Sequence, residues 1–560
     1  MIAAVLLAAI PALLQSPDTA VSCNGRRVSA ISIDAQRPAF QGSASKWRRI
    51  AHALGLHHVT TRGDVIRDFS YVHVGDMCSD LQLSETARVL RSLPFLANAS
   101  VQVVPAADGG VNVDIETTDE VPVLVGGALH HSVPAAFSIG NENLFGSGTT
   151  VAVGGASNSP FRSSFFARVA SYGQFGPLTY TTIDAAREHL GDHVQLGVSR
   201  LLLSDLQRLA WNASYRGGND FPIIVRPVGD DQSVPVRDRR WSIGAIIKTD
   251  FARTPILFGP VALGNSISPT NMSIVVTDSG AVTQRDSALL ARFQPFHATR
   301  IGALLGARRV RFVTRIGFDA LFAPQDLMVG WQIGTLAAPG FAHGDGHDFM
   351  LAPSVYLGTS TAHAAVFADG EGEMSKNFVG RGASTIANVH GIAYLKPTER
   401  FLLKAEDNFS IIDGAAVPTQ LAMSDPLGGP RGFAGSTLVG AHRDVLRLEA
   451  RLAYPAAIHQ TDLGFALFAD GGWLGAGNVP YGTSAARHSV GFSLIGSYPT
   501  RSKHTYRLDF AFPMGAGVSH GLQVRFVNGD PTSNFAIEPG DVTQARMAPV
   551  PSTMFTWPGR

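Results

Sequence analysis

Residues 446–454 read LRLEARLAY. Successive side chains of an extended strand point to opposite sides, so Leu446, Leu448, Ala450, Leu452 and Tyr454 share one face and Arg447, Glu449 and Arg451 the other. The pattern recurs. Tyr506, Leu508, Phe510 and Phe512 oppose Arg507 and Asp509; Leu463, Phe465 and Leu467 oppose Asp470; Leu522, Val524 and Phe526 oppose Gln523 and Arg525. From residue 121 to 530 segments of about ten alternating residues are separated by Gly, Asn, Asp and Pro, the pattern of a large antiparallel sheet.

Alternation of this kind suits a soluble sandwich or a membrane barrel, since both keep one apolar and one polar face. Composition and the amino terminus favour the barrel. Only 16% of the 560 residues are charged, against roughly 25% in an average soluble protein. The apolar faces also carry aromatics near strand ends, where a lipid-facing band needs them. An open sheet edge in lipid would leave backbone groups without partners, so such a sheet must close. At about 25 residues per strand and turn, residues 121–530 would hold roughly 16 strands. A net charge of +1 gives no long-range field for nucleic acid, which is not an expected partner.

Residues 2–14, IAAVLLAAIPALL, are apolar and uncharged but shorter than the ~20 residues of a spanning helix. With small residues at Ala20 and Ser22 they read as a secretory signal peptide over residues 1–22. No later apolar stretch reaches the length of a membrane helix, so any membrane domain must be built from strands. The two cysteines, Cys23 and Cys78, are too few for a disulfide scaffold and too far apart to suggest a metal cluster. An oxidising compartment permits a bond between them; a lipidated Cys23 and two free thiols are the other states the sequence allows.

Residues 28–120 have mixed periodicity and form a separate small unit. Val28–Asp34 alternates; 45–56 and 62–69 read as helices; Leu83, Ala87 and Leu90 share one face of a third helix that Ser79 and Gln82 could cap. Alternating segments at 99–104 and 110–115 flank an Asp108-Gly109-Gly110 turn, a hairpin signal.

This unit, with Gly75-Asp76 and the run Leu83–Leu96, is similar to a POTRA domain, the β-α-α-β-β periplasmic module of the BamA/TamA outer-membrane assembly superfamily. Asn143-Leu144-Phe145-Gly146 resembles the turn near the start of that family's barrel. Arg431-Gly432-Phe433 resembles its R-G-F/Y motif, carried at the tip of an extracellular loop that folds back into the barrel. The resemblance implies that Arg431 meets Glu449 and Asp470, and both already fall on the polar faces read above. It spans residues 28–527. The chain departs from the pattern in having one POTRA-like unit and in continuing past its last strand into a Pro-rich segment, 531–560, expected to be a flexible periplasmic tail.

The reading is therefore mostly β: a 16-stranded antiparallel transmembrane barrel (121–530) after one small α+β domain. The resemblance implies a bacterial outer-membrane protein that assists insertion or translocation of polypeptides. Its POTRA edge would capture clients and a seam between 133–140 and 521–527 would open laterally; a two-partner secretion pore or plugged porin-like channel is the alternative. Expected partners are unfolded polypeptides, outer-membrane lipids and periplasmic accessory proteins, without cofactor or catalytic residue. His343, Asp345, His347 and Asp348, and the pair His130-His131, lack any zinc or calcium spacing. A P-loop is missing from the sequence.

Overall fold

A computed structural model describes residues 22–38, 59–130, 133–156, 163–251, 254–277, 279–342, 346–377, 383–434, 436–458, 460–515, 521–529 and 538–547. The signal peptide expected at 1–22 lies, but for Ser22, outside them, as does the helix expected at 45–56.

The amino-terminal unit contains β1 (Val28–Gln36), α1 (Gly63–Asp68), α2 (Asp80–Ser92), β2 (Leu96–Pro105) and β3 (Val111–Asp119). Helix α2 starts at a reciprocal cap: Ser79 Oγ accepts from Gln82 N (3.2 Å) and Gln82 Oε1 from Ser79 N (3.1 Å), worth about 1 kcal/mol. Its Leu83, Ala87 and Leu90 are buried over the sheet, each leucine contributing roughly 1.5–3 kcal/mol. The sheet order is β1-β3-β2, with β1 parallel and β2 antiparallel to β3. Cys23 and Cys78 are bonded to each other, tying the segment before β1 to the start of α2.

The rest of the described chain is dominated by one antiparallel sheet of twenty strands, from Val123–His130 to Gln523–Gly529. The sixteen expected was too few because the first strands and turns are short. Six strands, each eight or nine residues long, fit between Val123 and Arg200. Later strands are longer, up to the 21 residues of Phe296–Ile316, except the last, Gln523–Gly529, which has seven. Strand order brings Gln523–Gly529 beside Val123–His130, and these two meet over a shorter stretch than any other neighbouring pair of the sheet. The expected seam strand, 133–140, is instead the second in the order and pairs on both sides. The misassignment arose because Val123–His130 carries two central glycines, which weaken its alternation.

Polarity is inverted relative to a soluble sandwich. Leu448 (45% exposed), Leu467 (57%), Leu494 (49%) and Ile301 (70%) point outward, while Glu449, Arg451, Asp470 and Asp509 are buried inside. Tyr454 and Trp473, at opposite ends of the paired strands His442–Ile458 and Thr461–Gly475, are also exposed. A predominantly apolar outer face of this kind suits hydrocarbon better than water.

The small unit sits on one mouth of this sheet. Phe69, Phe95 and Leu96 pack with Tyr172, Tyr180, Leu201 and Leu203 of the sheet and its turns. Arg91 makes a bidentate pair with Asp326 (both 2.8 Å), and Glu120 accepts from Ser502 Oγ and Lys503 N (both 2.8 Å). Burial pushes the Tyr71 phenol up, keeping it a donor to Gln207 Oε1 (2.9 Å). The Asn143–Gly146 turn is part of this joint. Asn143 Nδ2 donates to Thr61 Oγ1 (2.7 Å), and Gly146, at φ 69°, passes so close to Thr60 that a Cβ there would lie 2.3 Å from the Thr60 carbonyl oxygen.

The expected tail does not hang free throughout. Residues 538–547 include a short helix, Gly540–Ala545, and pack inside the sheet, with Val542 in a cluster with Ile386, Ile412 and Leu421. Residues 531–537 and 548–560 lie outside the described chain. Proline and polar content suggested a solvated extension; the ring of strands supplies charged and apolar partners that local composition cannot reveal.

Orientation of the sheet is testable at Leu467. Leu467→Arg should destabilise the protein in lipid vesicles by about 2–4 kcal/mol, read as a lower urea midpoint of folded, heat-modifiable protein. An unchanged midpoint would mean that this face does not meet lipid.

Candidate functional site: the Arg431 loop

Residues 414–441 connect Phe401–Asp413 to His442–Ile458 at the mouth opposite the small unit and fold into the lumen. A two-residue ladder, Leu421–Ala422 with Val439–Gly440, narrows the neck of the loop. Its tip is closed by Asp425 N donating to Phe433 O (3.3 Å) and by Ser424 Oγ donating to Ala434 O (2.9 Å). Gly432 has φ 88°, and a Cβ there would lie 2.9 Å from the Ala511 Cβ on the wall, so the tip approaches that strand through its glycine. Phe433 is buried beside it.

Arg431 is 4% exposed. Its Nε and Nη2 donate to the two oxygens of Asp470 (2.8 and 2.7 Å), its backbone N donates to the same carboxylate (3.0 Å), and Nη1 reaches Glu449 Oε2 (3.3 Å). The guanidinium also lies 3.7 Å above the Phe468 ring. A planar fork on a carboxylate, stacked on an aromatic, uses features that lysine lacks.

These contacts continue around the wall. Glu449 also accepts from Arg451 (2.8 Å) and Arg507 (2.6 Å); Arg507 donates to Asp509 (2.6 Å); Asp509 accepts from Arg525 (2.7 Å); and Arg525 returns to the loop at Asp425 (2.6 Å). Four arginines (431, 451, 507, 525) thus face four carboxylates (425, 449, 470, 509), and the site is neutral as a unit. Arg525 belongs to the final strand, so the loop is tied to one side of the strand pair that joins the two ends of the sheet. A further arginine, Arg447, holds the backbone carbonyl of Gly429 at the loop tip (2.9 Å).

The structure therefore places Arg431, Gly432, Phe433, Glu449 and Asp470 together. Arg451, Arg507, Asp509 and Arg525 were visible as polar-face residues but not as partners of the loop, because pairing needs the strand register: Asp509 stands directly opposite Arg525. Asp425 had no signal in the sequence. Of the histidine-aspartate group, 343–345 lie outside the described residues, and Asp348 is committed to a buried ion pair with Arg300. Among the described residues no three metal-ligating side chains converge.

No family model matches the sequence, and no curated protein matches it. Solved structures similar to the chain include BamA from Haemophilus ducreyi lacking POTRA domains 1-3 (12% identity, TM-score 0.40, 90% of this chain and 85% of that one). CdiB from Escherichia coli is similar at 11% identity and TM-score 0.46 over 90% of this chain and 76% of that one. CdiB from Acinetobacter baumannii follows at 11%, 0.36, 90% and 73%.

Removing the guanidinium strands a buried carboxylate. Arg431→Ala should cost about 3 kcal/mol and Arg431→Lys measurably less, both read from urea midpoints in vesicles; equal stability of Arg431→Ala and the parent would sink the assigned pairing. In the order of its parts, the chain joins a small αβ unit at one mouth, an inverted-polarity sheet and an arginine loop returned to the lumen.

Proposed function

We propose that the chain is a bacterial outer-membrane β-barrel of the BamA/TamA type that assists polypeptides in entering or crossing that membrane. The small unit would be its periplasmic POTRA domain. The observation that carries this reading is the Arg431 loop, anchored to acids on two wall strands and to Arg525 of the last. A loop that merely narrowed a pore would need no tie to the strand pair joining the ends of the sheet.

The mechanism follows from backbone chemistry. Strand β2 is an edge of the small sheet, and an unpaired edge offers main-chain donors and acceptors to any extended client without regard to its side chains. The short contact between Gln523–Gly529 and Val123–His130 makes these strands the place where pairing separates first, letting a client strand add to an exposed edge. The Asp425–Arg525 link would couple loop position to that separation. The roles of Arg431, Glu449 and Asp470 are structural and gating, with no catalytic step and no cofactor; lipid, client polypeptides and periplasmic accessory proteins are the partners.

A two-partner secretion pore or plugged porin-like channel is the second reading, favoured by the charged lumen wall. Site-specific crosslinking from 99–104 of β2 in cells should trap nascent outer-membrane or secreted polypeptides. If no polypeptide is trapped and deletion of 414–441 only raises conductance in planar bilayers, the protein is a plugged channel.

A further inference from the structure

The lumen holds a second inward segment. Residues 538–547 lie between the Arg431 loop and wall strands far apart in the chain. At one end Asp541 accepts from both Nη atoms of Arg443 (2.6 and 2.9 Å), a guanidinium that is 0% exposed, and from Ala422 N of the loop (3.2 Å). At the other end Met547 N donates to both oxygens of Glu373 (each 3.0 Å) and Met547 O accepts from Asn265 Nδ2 (2.6 Å). Between them Arg240 Nη1 donates to the carbonyls of Gln544 (3.3 Å) and Arg546, and Arg546 reaches the Glu371 carbonyl (3.1 Å). Met547 and Val542 enter two separate apolar clusters of the wall.

Two properties of these contacts matter. Asp541 is the carboxylate paired with Arg443 among the described residues, so withdrawal of the segment would leave a buried guanidinium without its counter-charge. And Glu373, Asn265 and Arg240 grip main-chain N–H and C=O groups, which every polypeptide carries. The wall is shaped for a stretch of chain, and the Arg443–Asp541 pair adds a charge-specific contact.

We propose that the lumen contains a main-chain-reading polypeptide site formed by Arg443, Glu373, Asn265 and Arg240, and that residues 538–547 occupy it as a built-in plug that closes the pore. The proposal rests on the barrel reading above and extends it: a passing polypeptide meets the same donors and acceptors once the plug leaves, so exchange costs little for a chain that brings an acidic side chain to Arg443.

The test uses the full chain and a truncation after residue 537, both in planar bilayers after a heat-modifiability check for folded barrel. The truncated protein should conduct severalfold more, and the synthetic peptide EPGDVTQARM, residues 538–547, should restore the low conductance. The same peptide with Asn in place of Asp541 should block more weakly. Equal conductance of the two folded proteins would overturn the plug. If the truncation fails to fold, Val542→Cys in the otherwise intact chain decides, because the two native cysteines are bonded to each other. The new thiol should resist a membrane-impermeant maleimide and become reactive when Arg443→Ala is added; full reactivity without that change would overturn the site. Client crosslinking from β2 is independent of both readouts, so loss of the assembly reading and loss of the plug are separable results.

Discussion

A guanidinium inside a ring of strands must be matched by carboxylates, and the organisation around Arg431 follows from that requirement. Its fork occupies Asp470 and reaches Glu449, which draws in Arg451 and Arg507; Arg507 needs Asp509, and Asp509 holds Arg525. Each member but the part-exposed Arg525 is buried or nearly so, and each satisfies the charge of the next. Removing one leaves its neighbour in a low-dielectric site, where an unpaired charge costs far more than a pair contributes. The loop is therefore held in one position by a chain of contacts that leaves it at Arg431 and returns to it at Asp425.

The same polarity rule organises the outside. Carboxylates and arginines turned inward leave leucines, isoleucines and aromatics on the outer skin, which only lipid can cover without loss. The mouth carrying the small unit is closed by ordinary packing, with Tyr172 and Tyr180 among its apolar contacts and Arg91, Glu120 and Lys503 at its polar rim. The opposite half is filled by the Arg431 loop and residues 538–547, which touch each other through Ala422 and Asp541. Ends of the sheet meet over a short stretch, while the charge chain reaches the last strand. A weak junction beside a strong anchor is an arrangement in which local opening leaves the remainder intact.

Much of the site was legible before any coordinates. Glu449 and Asp470 lie on polar faces that follow from alternation alone, and Arg431 was singled out by its motif. The partners Arg507, Asp509 and Arg525 stood on those same faces but could not be connected, since three strands must be in register before Asp509 faces Arg525. Asp425 sits in an irregular turn, where no period exists to read. Residues 538–547 misled in the opposite sense: an acidic residue among prolines and polar groups has the composition of a solvated tail, and only the lumen provides Arg443 for it.

What the sequence determined by itself is which face of each strand is apolar, which is polar, and where the helix α2 begins. These depend on periods of two or 3.6 and on a cap between Ser79 and Gln82, interactions that span a few residues. Tertiary structure decided the number of strands, which strand flanks the last one, and where the chain goes after Gly529. Those outcomes depend on how far each strand runs before it turns and on charges hundreds of residues apart meeting inside one ring, and no local pattern encodes that distance.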